Sequence, residues 1–92
     1  MKELPKTGDV VISTAGHDAG DALAVIAIVS ETYVLLADGI KRTADSPKLK
    51  KIKHIRLVGH SDRLSDELSR GITDNKTLSA EIAAVDNGGS NV

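Results

Sequence analysis

The sequence predicts a small, mainly β domain in which five short strands form a barrel and two short helices follow. The first observation is a series of short Val-, Ile-, Leu- and Ala-rich runs between residues 9 and 58, separated by Gly, Asp and Pro. The second is a change after residue 60 to leucines at helical spacing, which is typical of an amphipathic helix. A chain of 92 residues accommodates one such domain.

The predicted strands are apolar runs bounded by turn residues. In the first strand, Val10 and Ile12 alternate with Val11 and Ser13, which is the side-chain period expected of a strand. The second strand is apolar at every position, so both of its faces should be covered by other parts of the protein. The five predicted strands are residues 9–14, 23–29, 33–37, 40–44 and 53–58.

Glycines and a proline mark the turns between these strands. Gly16 and Gly20 lie in the loop before the second strand, where they allow a positive φ angle or a close backbone approach. Asp38-Gly39 is a strong signal for a hairpin turn, which predicts that the strand at residues 40–44 returns beside the third strand. Pro47 then separates the predicted fourth and fifth strands.

Two helices are predicted after the strands. Leu64 and Leu68 share one face of a helix at residues 61–70, with Ser61 as its N-cap and Gly71 as its C-terminal stop. A second apolar stripe lies within residues 73–85, and both stripes should pack on the outer face of the second strand. The predicted organisation is a flexible lead-in at residues 1–7, the barrel at 8–59, a helical appendage at 60–86 and a disordered tail at 87–92.

Basic side chains are concentrated in one stretch of a chain whose net charge is −1. Residues 41–56 hold seven of the twelve Lys and Arg residues, which predicts a positive patch that binds phosphates. The alternative is an edge strand protected by lysines against aggregation, but the density of the cluster exceeds that need. The predicted nucleic-acid-binding residues are Lys41, Arg42, Lys48, Lys50, Lys51, Lys53, His54 and Arg56, with His17 and Gly20 from the glycine loop.

The remaining side chains argue against an enzyme and against a bound metal or cofactor. The chain contains no cysteine and its three histidines are scattered, so we expect no disulfide and no metal site. His17-Asp18 and His60-Ser61-Asp62 are too close in sequence to face one another as a catalytic triad. The only aromatic residue, Tyr33, falls in a predicted strand and is expected to be core. Recognition of RNA would therefore use shape and phosphates rather than base stacking.

A resemblance to a known family sharpens these expectations. The segments Gly8-Asp9-Val10-Val11 and Gly16-His17-Asp18-Ala19-Gly20, followed by an apolar strand and by Asp38-Gly39, resemble the KOW motif of SH3-like barrel RNA-binding proteins. Residues 8–58 are similar to small bacterial KOW-domain proteins related to KOW-type large-subunit ribosomal proteins of archaea and eukaryotes. The resemblance implies a five-stranded SH3-like barrel that binds structured RNA, ribosomal RNA included. The family often has basic residues at the positions of His17 and Asp21, so phosphate contacts are expected mainly from residues 41–56.

These observations together predict a non-enzymatic, cytoplasmic module that docks electrostatically on structured RNA, with the ribosome among the partners that the resemblance implies. The longest apolar run, residues 22–29, is too short to span a bilayer, and residues 1–7 lack the apolar region of a secretory signal. The alternative is a protein-interaction adaptor of a transcription or translation complex, in which the basic patch only steers association. Nuclease treatment separates the two, because only partners held through RNA would be lost.

Overall fold

The computed structural model describes residues 4–87 and confirms a mainly β domain with two helices at its C-terminal side. Residues 1–3 of the predicted lead-in and 88–92 of the predicted tail lie outside the described residues. The elements in chain order are β1 (Asp9–Ser13), β2 (Ala22–Ile28), β3 (Tyr33–Ala37), β4 (Lys48–Lys51), a 3₁₀ turn (Ile52–His54), β5 (Ile55–His60), α1 (Asp62–Arg70) and α2 (Asn75–Asp86).

The prediction of a fourth strand at residues 40–44 is wrong, because this segment is a loop. The Asp38 carboxylate accepts hydrogen bonds from the backbone N–H groups of Ile40 at 2.8 Å and Arg42 at 2.9 Å. An aspartate bonded to its own following backbone offers an alternative to the two-residue hairpin. The backbone N–H of Ala44 donates to Asn75 Oδ1 at 2.7 Å, which ties the loop to α2. The fourth strand forms only after Pro47 and pairs with β3.

The five strands form one antiparallel sheet that is strongly curled. Their order is β4-β3-β2-β1-β5, so β4 and β5 are the two edge strands. In a flat sheet these edges would lie about 19 Å apart, at about 4.8 Å per strand spacing. The 3₁₀ turn that joins them advances only about 6 Å, at about 2 Å per residue. The sheet must therefore curl until its edges approach, although among residues 4–87 no ladder of hydrogen bonds pairs β4 with β5.

Apolar side chains fill both sides of the curled sheet. Adjacent residues of one strand belong to different clusters: Val10 packs on one side and Val11 on the other, as do Ala24 and Val25. The inner cluster is Val11, Leu23, Val25, Val34 and Leu36. The outer cluster, which lies under the helices, is Val10, Ala24, Ala37, Leu64, Leu78 and Ile82. The predicted burial of the second strand on both faces is confirmed.

Local capping interactions set the ends of the helices. Ser61 Oγ accepts a hydrogen bond from the backbone N–H of Leu64 at 3.1 Å, and Gly71 ends α1 with a φ angle of 70°. Both residues were predicted in these roles. The second helix begins at Asn75 rather than near residue 73, because the Asp74 side chain accepts from the backbone N–H of Thr77 at 2.7 Å. Within residues 4–87, no helix has the length and apolar character needed to cross a membrane.

Candidate nucleic-acid interface

The alternation of side chains along β4 divides the predicted basic residues between two sides of the sheet. Lys50 is buried and lies opposite Val34 of the inner cluster, whereas Lys51 is exposed and lies opposite Tyr33. Lys48 shares the side of Lys50. The predicted residues therefore do not form one continuous patch, and their environments differ in the number of carboxylates that they meet.

Lys48 and Lys50 converge on one carboxylate, in a group that we call the Asp18 cluster (Ser13, Asp18, Lys48 and Lys50). Lys50 Nζ lies 2.8 Å from Asp18 Oδ1 and also donates to the backbone carbonyl of Ala15 at 2.8 Å. Lys48 Nζ lies 3.0 Å from Asp18 Oδ2, and Ser13 Oγ donates to Oδ1 at 2.8 Å. The side chain of Lys50 is only 7% exposed. The Lys50 ammonium group is therefore held inside the protein, and the partly exposed Lys48 ammonium group is paired with the same carboxylate.

The electrostatics of the Asp18 cluster favour the ionised carboxylate. Burial raises the pKa of Asp18, but hydrogen bonds from Lys50, Lys48 and Ser13 outweigh burial and hold the pKa well below its usual range. Asp18 thus keeps its negative charge at neutral pH and offsets a positive charge that would otherwise be buried. Because both lysines are paired with a carboxylate of the same protein, they are less available to a ligand than lysines outside an ion pair.

Four of the ten predicted residues line a polar pocket of about 390 Å³ beside this cluster: His17, Lys41, Arg42 and Lys48. Three carboxylates line the same pocket, from Asp18, Asp21 and Asp38. Lys41 Nζ lies 3.5 Å from Asp21 Oδ2, but this pair is exposed and therefore weak. Because three carboxylates balance the three Lys and Arg side chains in the lining, the pocket has little net attraction for a polyanion.

The glycine loop has the backbone geometry that its sequence predicts. Gly16 and Gly20 have φ angles of 87° and 92°, which favour glycine. The backbone N–H of Gly20 donates to the Ser13 carbonyl at 2.8 Å, and the N–H groups of Ala19 and Asp21 also donate within the loop. These three donors are consequently not directed at a ligand. The glycines serve to turn the chain and to place Asp18 against the lysines.

A second set of predicted residues meets no such neutralisation, and we call it the basic turn (Lys51, Lys53, His54 and Arg56). It spans the end of β4, the 3₁₀ turn and the start of β5. Ile52 and Ile55, which lie between its members, pack against the inner cluster and leave the charged residues on the outside. Lys51, Lys53 and Arg56 are exposed, and none of the ion pairs among residues 4–87 involves them.

The basic turn concentrates its charge in a short span. Six consecutive residues reach at most about 18 Å between their outer Cα atoms, which is less than two Debye lengths of about 10 Å at 0.1 M salt. Lys51 and Lys53 also line a shallow depression of about 300 Å³ with Thr32 and Glu31 from the β2–β3 turn. Of the surfaces described, this one combines closely spaced cations with the fewest carboxylates.

Sequence reasoning missed a partly buried polar pair at the other end of the sheet. Asp9 Oδ1 lies 2.6 Å from His60 Nδ1, and Asp9 Oδ2 accepts a hydrogen bond from the backbone N–H of Lys6 at 2.8 Å. The pair lies beside a groove of about 370 Å³. The neighbouring Ser61 hydroxyl donates to Glu81 Oε1 at 2.7 Å, so it is a bonded cap residue rather than a nucleophile facing His60.

The structure and sequence therefore leave the basic turn as the strongest candidate site. Within residues 4–87 there is no group of three or more His, Cys, Asp or Glu side chains placed to hold a metal ion. No family model matches the chain, and no curated protein matches it.

Proposed function

We propose that this protein is a non-enzymatic RNA-binding module that docks on the phosphates of structured RNA through the basic turn. The observation that supports the proposal is the arrangement of residues 51–56, where Ile52 and Ile55 pack against the inner cluster and three basic side chains, Lys51, Lys53 and Arg56, are exposed. Anchored cations bind a polyanion with less loss of backbone entropy than cations on a mobile segment. Release of counterions from the RNA drives such binding.

The proposed mode of recognition is shape and backbone charge rather than base sequence. Tyr33 is the only aromatic residue of the chain, and it is partly buried in β3 opposite Lys51. Stacking of unpaired bases needs exposed aromatic platforms. A helical or otherwise folded RNA presents its phosphates in a fixed array, which suits a short row of cations.

The proposal includes an SH3-like barrel of the KOW type and a cytoplasmic location. Five antiparallel strands in the order β4-β3-β2-β1-β5, with the two edges joined by a 3₁₀ turn, support a barrel-like closure. The positive φ angles of Gly8, Gly16 and Gly20 also support the resemblance, since these residues belong to the segments that carry it.

The salt dependence of binding tests the mechanism. Contacts from Lys51, Lys53 and Arg56 amount to about three phosphates. The logarithm of the binding constant should then fall against the logarithm of salt concentration with a slope of roughly −2 to −3. Fluorescence anisotropy of a labelled RNA hairpin measures this slope between about 50 and 200 mM salt. A slope near zero contradicts the proposal.

Charge reversal locates the site. The double variant K51E/K53E should weaken hairpin binding by at least about tenfold, equivalent to about 1.4 kcal/mol, and leave the circular dichroism spectrum unchanged. The matched control is R70E/K76E, which makes the same change in net charge on two exposed helical positions. If the control weakens binding as much as K51E/K53E does, net charge alone governs binding and the proposed site is wrong.

A further inference from the structure

We propose that the groove beside the free edge of β5 binds an extended, acidic peptide segment of another protein, which adds to the sheet as a strand next to β5. This inference goes beyond RNA binding, because it assigns a second surface and a different class of partner. We call this surface the β5 groove; its lining includes Leu4, Lys6, Val11, Ile52, Ile55 and Leu57.

Among the described residues 4–87, no strand pairs with β5 on the side away from β1. The carbonyl of His54 accepts from the backbone N–H of Thr14 at 2.9 Å, and Arg56 lies opposite Ile12. Opposed residues of an antiparallel pair alternate between bonded and non-bonded, so the N–H and C=O of Leu57 point away from β1. β5 is an edge strand, and an edge with unpaired groups is a template for strand addition.

Apolar side chains line the groove next to this edge. Leu57 is 62% exposed and Leu4 is 51% exposed, although both are large hydrophobic residues. Between them, Val11, Ile52 and Ile55 join the groove to the inner core. The groove measures about 370 Å³, which accommodates one or two apolar side chains of an added strand. Alternate side chains of that strand would enter the groove, and those between them would face solvent.

The charges around the groove favour an acidic partner. The basic turn lies at the end of the groove where β5 begins, and exposed Lys6 lies in its lining. The one carboxylate in the lining, Asp9, is already bonded to His60 and to the backbone of Lys6. An extended peptide with acidic residues between its apolar ones would therefore meet positive charge at the start of β5 and at Lys6, whereas the exposed Asp62 carboxylate lies 3.4 Å from His60 at the far end of the strand.

Two other occupants fit these observations less well. A second copy of this chain, paired edge to edge through β5, would add a strand that has a basic residue, Arg56, and no carboxylate, so it would not match the positive charge beside the groove. An RNA strand would find no Phe, Tyr or Trp in the groove lining on which to stack its bases, and the one imidazole there, His60, is bonded to Asp9. The acidic peptide satisfies the apolar lining, the free edge and the positive surroundings together.

The test uses synthetic peptides and nitrogen-15 NMR of the full chain. The probe is a capped seven-residue peptide of alternating Val and Glu, and its counterpart has Lys in place of Glu. The Val/Glu peptide should shift the amide signals of β5 and slow hydrogen exchange at the Leu57 amide, while the Val/Lys peptide should bind at least about tenfold more weakly (about 1.4 kcal/mol). Equal binding of both peptides, or the absence of saturable shifts on β5, overturns the proposal.

A matched pair of leucine variants tests whether peptide binding requires the groove, and distinguishes it from nonspecific hydrophobic binding and from RNA binding. Leu57→Asp should abolish peptide binding, whereas Leu49→Asp, an exposed leucine on the other edge strand at 52% exposure, should preserve it. Leu57→Asp should retain binding of the RNA hairpin, which K51E/K53E loses, so that the two proposals can fail independently. If sedimentation instead shows a dimer that Leu57→Asp dissociates, the proposed occupant is wrong.

Discussion

Removal of the Asp18 charge should destabilise the protein strongly. In Asp18→Asn, Lys50 keeps the Ala15 carbonyl as an acceptor but loses the carboxylate that balances its charge, at a site where the lysine is 7% exposed. Breaking a buried ion pair by removal of one partner costs about 3–5 kcal/mol. Because Asp18 is 15% exposed and asparagine retains one acceptor, we expect a loss of roughly 2–4 kcal/mol in the free energy of unfolding. A domain of this size has only about 5–14 kcal/mol in total.

Urea denaturation followed by circular dichroism measures this loss, and thermal unfolding should show a fall in Tm of roughly 10–30 °C. The matched control is Asp66→Asn, which removes the same charge from an exposed pair with Arg70 at 3.2 Å and should cost no more than about 0.5 kcal/mol. The double variant D18N/K50M removes both partners of the buried pair and should recover much of the stability. If D18N costs no more than the control, the Asp18 cluster is not a structural element.

The pH dependence of stability provides an independent check on the same carboxylate. The pKa of Asp18 is lower in the folded protein than in the unfolded chain, so its contribution is fully present above the unfolded value of about 3.9. The contribution is lost as the pH falls below that value towards the depressed pKa. Below about pH 4 the stability of the wild type should therefore fall more steeply than that of D18N, by up to about 1.4 kcal/mol per pH unit. Parallel curves would refute the reasoning.

Three further predictions concern packing and capping, and urea denaturation measures each. Gly8→Ala and Gly20→Ala each place a side chain on a backbone with a φ angle near 92°, which should cost about 1–2 kcal/mol of stability. At Gly8 the new Cβ would also clash with the backbone of Ser65, so Gly8→Ala should cost at least about 1 kcal/mol more than Gly20→Ala. Equal losses for the two variants would contradict this prediction. Ser61→Ala removes the cap of α1 and should cost about 1–2 kcal/mol. Leu78→Ala leaves a cavity under α2 and should cost about 2–5 kcal/mol, with a smaller loss indicating collapse of the site.

The features of the fold that depend on interactions between residues close together in the sequence were predictable. The two-sided apolar pattern of the second strand, the Ser61 cap and the positive φ angles of Gly16 and Gly20 all follow from interactions within a few residues. The fourth strand was misplaced for the opposite reason: Asp38-Gly39 fits a hairpin locally, but hydrogen bonds to Asp38 and from Ala44 to Asn75, 31 residues away, favour a loop.

The sequence predicted which basic residues could form the candidate site, but not which of them are exposed. Had β4 been placed at Lys48–Lys51, strand alternation alone would have put Lys48 and Lys50 on one side and Lys51 on the other. Nothing local indicates that Asp18 would meet Lys50, since the two are 32 residues apart and approach only because the sheet curls. The groove beside β5 was equally hidden, because its lining comes from the N-terminal segment, β1 and β5 together.

By itself, the order of amino acids determined a β-rich domain with two capped helices and a cluster of basic residues near the middle of the chain. Periodicity, turns and caps act over a few residues, so the sequence alone determines them. Which of those cations are exposed was decided by the tertiary structure. Curling of the sheet brings distant chain segments within hydrogen-bond range, so one aspartate engages two lysines while Lys51, Lys53 and Arg56 remain outside on a turn anchored by two isoleucines.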